Sequence, residues 1–175
     1  MIISVDKVLS IPEFQNMNRN DVQNKLDAIE VLVRKYTNNN FQNKNIRFLA
    51  SSMTDRLNGV SPFLKVGDTI QISESLVNDG LYVIEEIGDN YTMIDKEIFA
   101  VPRNLVTKIE YPKDVQEGII NLMRWEQTNR KKVGIKSETL SRHSVTYYDQ
   151  DANNQVMGYP VSLLGFLDSY MKARF

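Results

Sequence analysis

The chain has no cysteine, one histidine and one tryptophan among its 175 residues. Without cysteine there can be no disulfide scaffold, no thiolate metal site and no thiol nucleophile. His143, standing alone, cannot build a histidine-rich metal centre within one chain. No apolar run approaches the roughly 20 residues that cross a bilayer. The opening MIISVDKV lacks the basic and apolar regions of a secretory leader. These absences predict a soluble, intracellular protein with no membrane partner. An excess of one charge is missing too. The 21 Lys and Arg against 22 Asp and Glu leave a net charge of −1, which argues against a dedicated nucleic-acid-binding protein. Neither a phosphate-cradling nor a dinucleotide-binding glycine motif occurs.

What is present is a foldable chain, 42% apolar and of a length that suits one domain or a domain with a small insert. Ser4 is placed to cap a short turn through Val8–Leu9, which Pro12 ends. Val22, Leu26, Ile29, Val33 and Tyr36 recur every three or four residues, so a helix is predicted over Asp21–Tyr36 with Asn20 or Asp21 as its cap. The Asn-rich stretch Thr37–Asn45 makes a polar loop. Alternation through Ile46, Phe48 and Ala50 favours a strand over Ile46–Met53, with a helix left open.

From Phe63 to Tyr111 the period changes to two. Strands are predicted at Thr69–Ile72, Leu81–Ile87, Tyr91–Asp95, Ile98–Val101 and Val106–Tyr111, with turns at Asn78-Asp79-Gly80 and Gly88-Asp89-Asn90. Pro112 then opens a helix that runs to Thr128 with Val115, Ile119, Leu122, Met123 and Trp125 on its apolar face. Pro160 opens a last helix, on which Leu163, Leu164, Leu167, Tyr170 and Met171 share a face. Lys172 and Arg174 lie at its carbonyl end. The expected fold is α+β: a small antiparallel helical bundle with an inserted small antiparallel β barrel or meander, and an extended arm before the C-terminal helix. The helical domain would be 1–62 and 112–175, the β module 63–111, and the arm 131–159.

The arm holds the most informative stretch, Lys131–Tyr148. Val133, Ile135, Leu140, Val145, Tyr147 and Tyr148 make it more apolar than a solvated linker. S-V-T-Y-Y at 144–148 reads as strand, with no obvious partner strand nearby, and so as a candidate for pairing with another chain. The basic run Arg130-Lys131-Lys132, with Arg124 and Lys136, reads as a solvated helix end or as a contact for an acidic partner or passing DNA. The candidate partner-binding residues are Lys131, Lys132, Lys136, Arg142, His143, Ser144, Val145, Tyr147 and Tyr148.

The run G-I-K-S-E-T-L-S-R-H-S-V-T-Y at 134–147, then G-Y-P at 158–160 and an apolar terminus, resembles the tail half of tailed-bacteriophage head–tail connector (adaptor) proteins. In that family a Ser-Glu-Ser/Thr-Leu/Ile-Gly-Asp-Tyr-Ser-Val-Thr-Tyr stretch precedes a final helix. Here Ser141-Arg142-His143 stands where Gly-Asp-Tyr is common. I-S-V-D-K-V at 3–8 and V-R-K-Y-T at 33–37 are similar to the family's N-terminal end. The resemblance implies a virion protein of the head–tail neck, made in a bacterial cytoplasm. It would bind the portal protein, its own neighbouring copies in a dodecameric ring, and the next neck or tail-completion protein. DNA would be only cargo passing through the ring, and the free subunit would be monomeric. A head-completion stopper or tail-completion protein is the alternative, favoured by the β module.

A small hydrolase or nuclease with an acidic site is a further reading, with Glu85-Glu86 or Glu74 and Asp79 as its carboxylates. Asp149–Asn153 has some features of a calcium loop. Its sixth position is Asn154 instead of glycine and its twelfth Pro160 instead of glutamate, so the ligand geometry fails. No catalytic residue, metal or cofactor is expected.

Overall fold

The computed structural model of the chain describes residues 2–129, 137–140, 143–146 and 155–173. The chain divides into two compact units, one comprising Met1–Ser4 and Asn39–Tyr111, the other Val5–Asn38 and Pro112–Phe175.

The second unit holds the helices α1 (Val5–Leu9), α2 (Arg19–Thr37) and α3 (Lys113–Asn129). Asn18 caps α2, its side-chain oxygen accepting from the backbone N–H of Asn20 at 2.8 Å and of Asp21 at 3.4 Å. Asn38 ends the helix in the left-handed region, where a short polar side chain is tolerated. Val22, Leu26, Ile29 and Val33 of α2 are buried, as are Val115, Ile119, Leu122 and Met123 of α3. The two helices are tied by an ion pair, Lys25 Nζ to Glu126 Oε1 at 2.7 Å.

The α-helix expected after Pro160 is instead two 3₁₀ segments, Val161–Leu163 and Gly165–Tyr170. Three residues per turn eclipse positions three apart. Leu164 and Leu167 are therefore both fully buried, and Tyr170 extends the row to donate to both carboxylate oxygens of Asp114. Gly165, Asp168 and Ser169 are poor helix formers, so little intrinsic propensity resists the tighter winding. The end of this strap is fastened to the end of α2, with Lys172 N–H donating to Thr37 O at 2.8 Å.

The first unit corrects the fold prediction. It is a closed six-stranded antiparallel barrel in the order β1-β2-β5-β4-β3-β6, not a small insert in a helical bundle. The strands are β1 (Gln42–Met53), β2 (Arg56–Asn58), β3 (Thr69–Ser73), β4 (Gly80–Ile87), β5 (Thr92–Ile94) and β6 (Asn104–Ile109). The barrel therefore starts at residue 42 instead of 63. Of the Asn-rich stretch Thr37–Asn45 taken for a loop, 38–41 is one, while Gln42–Asn45 begin β1 and Thr37 ends α2. Asn43 pairs with Lys108 and Arg47 with Thr107, so a bulge takes up the residues between them and sets the alternation of Ile46–Met53 out of phase with what precedes.

Closure leaves no sheet edge. The interior is filled by Ala50, Leu57, Ile70, Ile72, Tyr82, Ile84, Ile94 and Val106, as a small barrel requires. A second irregularity between Ile84 and Glu86 puts Glu85-Glu86 on the outside, while Ile84 and Ile87, three apart, both pack on the core. Ile98–Val101, predicted as a strand, is part of the irregular connection between β5 and β6.

Two short hairpins complete the second unit. β9 (Gln155–Val156) and β10 (Tyr159–Pro160) pair across Met157-Gly158, both at positive φ as a two-residue primed turn demands. β7 (Ser137–Leu140) and β8 (His143–Thr146) pair antiparallel, with Leu140 opposite His143 and Ser137 opposite Thr146. The partner strand that seemed missing from the sequence is thus the neighbouring S-E-T-L segment. No helix among the described residues is long and apolar enough to cross a membrane.

Candidate binding surface

At one end of the barrel three connections converge: the turn 54–55 between β1 and β2, the loop 74–79 between β3 and β4, and the segment 95–103 between β5 and β6. The chain enters the barrel at Asn39 and leaves it at Tyr111 by the opposite end. There the Phe41 and Tyr111 rings sit 4.8 Å apart.

The loop 74–79 has an unusual backbone. Glu74 and Leu76 are held at φ 59 and 69, a region that costs a bulky L-residue roughly 1–3 kcal/mol and persists only where the surroundings impose it. Those surroundings are a buried polar cluster centred on Asn78. Its amide nitrogen donates to Phe99 O at 2.8 Å, Asn104 Oδ1 at 3.2 Å and Ser52 Oγ at 3.3 Å. Its amide oxygen accepts from Phe99 N at 2.8 Å. Ser52 Oγ donates to Phe99 O at 2.7 Å, and Tyr82 Oη donates to Asn78 O at 2.8 Å. Ser75 Oγ accepts from Asn78 N, and Asp79 Oδ1 from Ser75 N. Burial, with the nearby Asp95 and Asp79 carboxylates, pushes the Tyr82 phenol above the ordinary tyrosine range. A buried network satisfied at so many atoms fixes one loop conformation.

What that scaffold displays is apolar. Leu76 is 95% exposed, Phe99 71% and Val77 56%, and Met53 at the end of β1 is exposed as well. Large apolar side chains held outward on rigid loops have no role in the barrel's own core. They are the usual mark of a surface that another molecule covers. The sequence carried a sign of this: Leu76-Val77 and Phe99-Ala100-Val101 put apolar residues where turn chemistry calls for polar ones. With Ile98–Val101 read as a strand and Leu76-Val77 given no reading, neither raised a question.

The residues singled out from sequence are brought together only in part. His143, Ser144 and Val145 lie on β8, with Val145 opposite Glu138 and Ser144 opposite Thr139. Lys131, Lys132, Lys136, Arg142, Tyr147 and Tyr148 lie outside the described residues, as do Asp149–Asn153 of the rejected calcium loop. The acidic candidates do not converge. Glu86 accepts from Tyr91 Oη at 2.5 Å, Glu74 sits 3.5 Å from Arg103, and among the described residues no group of three or more His, Asp or Glu is placed to hold a metal ion.

The helical unit has a recess of about 90 Å³ lined by Lys25, Ile29, Leu32, Glu126, Met157 and Tyr159. Glu126 there takes Lys25 on one oxygen and the Tyr159 hydroxyl on the other, both at 2.7 Å, and the Trp125 and Tyr159 rings lie 5.7 Å apart. That volume is well below the roughly 300–1,000 Å³ of small-molecule sites. The recess is a packing feature built around an ion pair. No family model matches the chain, and no curated protein is significantly similar to it in sequence.

Proposed function

We propose that this chain is a structural protein of the tailed-phage head–tail neck, an adaptor that binds the portal and forms part of the ring continuing the DNA channel. The observation that carries an assembly role is the apolar end of the barrel. Leu76, Val77 and Phe99 are presented by a loop whose strained backbone is locked by the Asn78 network. Rigid presentation lowers the ordering cost of binding, and preorganised apolar anchors dominate the energetics of protein interfaces. The neck assignment itself rests on the resemblance of 134–147, 158–160 and the N-terminal segments to connector proteins. The reading is of a virion component without enzymatic turnover or cofactor.

One observation favours a second reading within the same assembly. The closed barrel is a complete unit, which better suits a head-completion stopper or tail-completion protein than a helical adaptor carrying a small insert. Both readings predict association with a neighbouring ring. Recombinant chain mixed with purified portal rings from the same genome should cosediment with them. A chain that binds the isolated next neck component but never the portal would favour the completion role.

A further inference from the structure

The same end of the barrel carries an excess of negative charge, with Asp55, Glu74, Asp79, Asp95 and Glu97 against Arg56, Lys96 and Arg103. Its connections hold Asp55, Asp79, Asp95 and Glu97, all exposed, and none of them forms an ion pair with a described residue. Of the nearby cations only Arg103 faces a carboxylate, and Lys96 and Arg56 are held on neutral groups. Arg103 Nη2 is 3.5 Å from Glu74 Oε2. Lys96 Nζ donates to Leu81 O at 3.1 Å and lies 5.6 Å over the Tyr82 ring. Arg56, at the root of the 54–55 turn, lies 5.5 Å over the Tyr91 ring. Asp79 and Asp95 also accept backbone N–H bonds from Ser75 and Val83, and an excess of carboxylates over cations accompanies Leu76, Val77, Phe99 and Met53.

We propose that this end docks onto a partner protein presenting an apolar socket flanked by lysine or arginine. The inference rests on the assembly reading above and names the chemistry of its partner. Apolar burial at the core with opposite charges around it is how such surfaces gain both affinity and correct approach. The charge decides between occupants. A second copy meeting this end face to face would set two like excesses of negative charge against each other. Nucleic acid and anionic lipid carry the same sign as the excess charge of this end and are disfavoured.

Leu76→Gly provides a variant that separates binding from folding. Leu76 is almost wholly exposed and sits at φ 69, a conformation glycine adopts freely. The variant should melt at the same temperature or higher, yet bind portal rings from the same genome about tenfold or more weakly. The double variant Asp55→Lys with Glu97→Lys should also bind at least about tenfold more weakly. Its binding should further lose most of its dependence on salt over the range where the Debye length falls from about 30 to about 3 Å. If the wild-type chain binds the rings and both variants bind equally well, the docking inference fails while the assembly reading stands. If the wild-type chain binds only the next neck component, the same variants are read on that component; if it binds neither, the assembly reading fails and takes the inference with it. Concentration-dependent self-association abolished by Leu76→Gly would assign the surface to a second copy instead. Leu76-dependent binding of duplex DNA would overturn the charge argument.

Discussion

Replacing Asn78 by aspartate leaves the side chain's shape nearly unchanged but turns its donor into an acceptor. The amide oxygen's bond from Phe99 N is kept. The position of the amide nitrogen, which donates to Phe99 O, Asn104 Oδ1 and Ser52 Oγ, becomes a carboxylate oxygen facing three oxygens. Phe99 O retains the Ser52 hydroxyl as a donor, whereas Asn104 Oδ1 loses its bond from Asn78. One buried acceptor deprived of that bond costs about 1–3 kcal/mol, and a buried uncompensated charge raises the total to about 3–5 kcal/mol. The introduced carboxyl escapes part of this by protonating, since its neutral form can donate again. Its folded pKa is therefore raised above the usual carboxylate value of about 3.9. A group raised in this way contributes stability below its unfolded pKa and loses it as pH rises through the folded value. The variant should accordingly be most destabilised relative to wild type near neutrality and recover as pH falls. Denaturant titrations at about pH 7 and about pH 5 measure both effects. A loss below about 1 kcal/mol at neutral pH, or one that grows on acidification, would show that the Asn78 network does not hold the barrel end.

Leu26 and Leu122 are fully buried in the helical unit, so each alanine substitution should cost about 2–5 kcal/mol in denaturant titration; a value below about 1 kcal/mol would misplace the helical faces. Gly118 in α3 has no room for a side chain, because an added Cβ would lie 2.4 Å from Phe166 Cδ2. Gly118→Ala should lower the melting temperature despite alanine's better helix propensity, and Phe166→Ala should restore much of the loss in a double-mutant cycle. Tyr82, raised by burial first and by Asp95 and Asp79 next, contributes stability that is complete below the ordinary tyrosine range and is lost as pH rises through its higher folded value. Spectrophotometric titration of wild type against Tyr82→Phe should show one late-ionising phenol missing from the variant.

Long-period features were legible in the sequence. The stripe Val22, Leu26, Ile29, Val33 marked α2, and the alternation at Thr69–Ile72 marked β3, because each depends on a repeat that tertiary contacts do not alter. Where tertiary contacts prevailed, the reading went astray. Gln42–Asn45 is polar enough to pass for a loop, yet pairing with β6 across a bulge makes it strand. The row Leu164, Leu167, Tyr170 fits an α-helical face as well as a 3₁₀ one, and only the contacts at Asp114 and Thr37 decide between them. The S-V-T segment was correctly taken as strand but denied its partner, since S-E-T-L is too short to show a period of its own. The apolar barrel end was signalled only by apolar residues at connecting positions, Leu76-Val77 and Phe99-Ala100-Val101. Nothing in Ser75-Leu76-Val77-Asn78 reveals that Asn78 turns inward to four partners while Leu76 is forced out.

Cosedimentation of the full chain with portal rings from the same genome tests the central claim most directly. The account predicts a saturable complex that weakens with salt and with Leu76→Gly. Rings that sediment free of the chain at concentrations well above those of specific assembly contacts would contradict it.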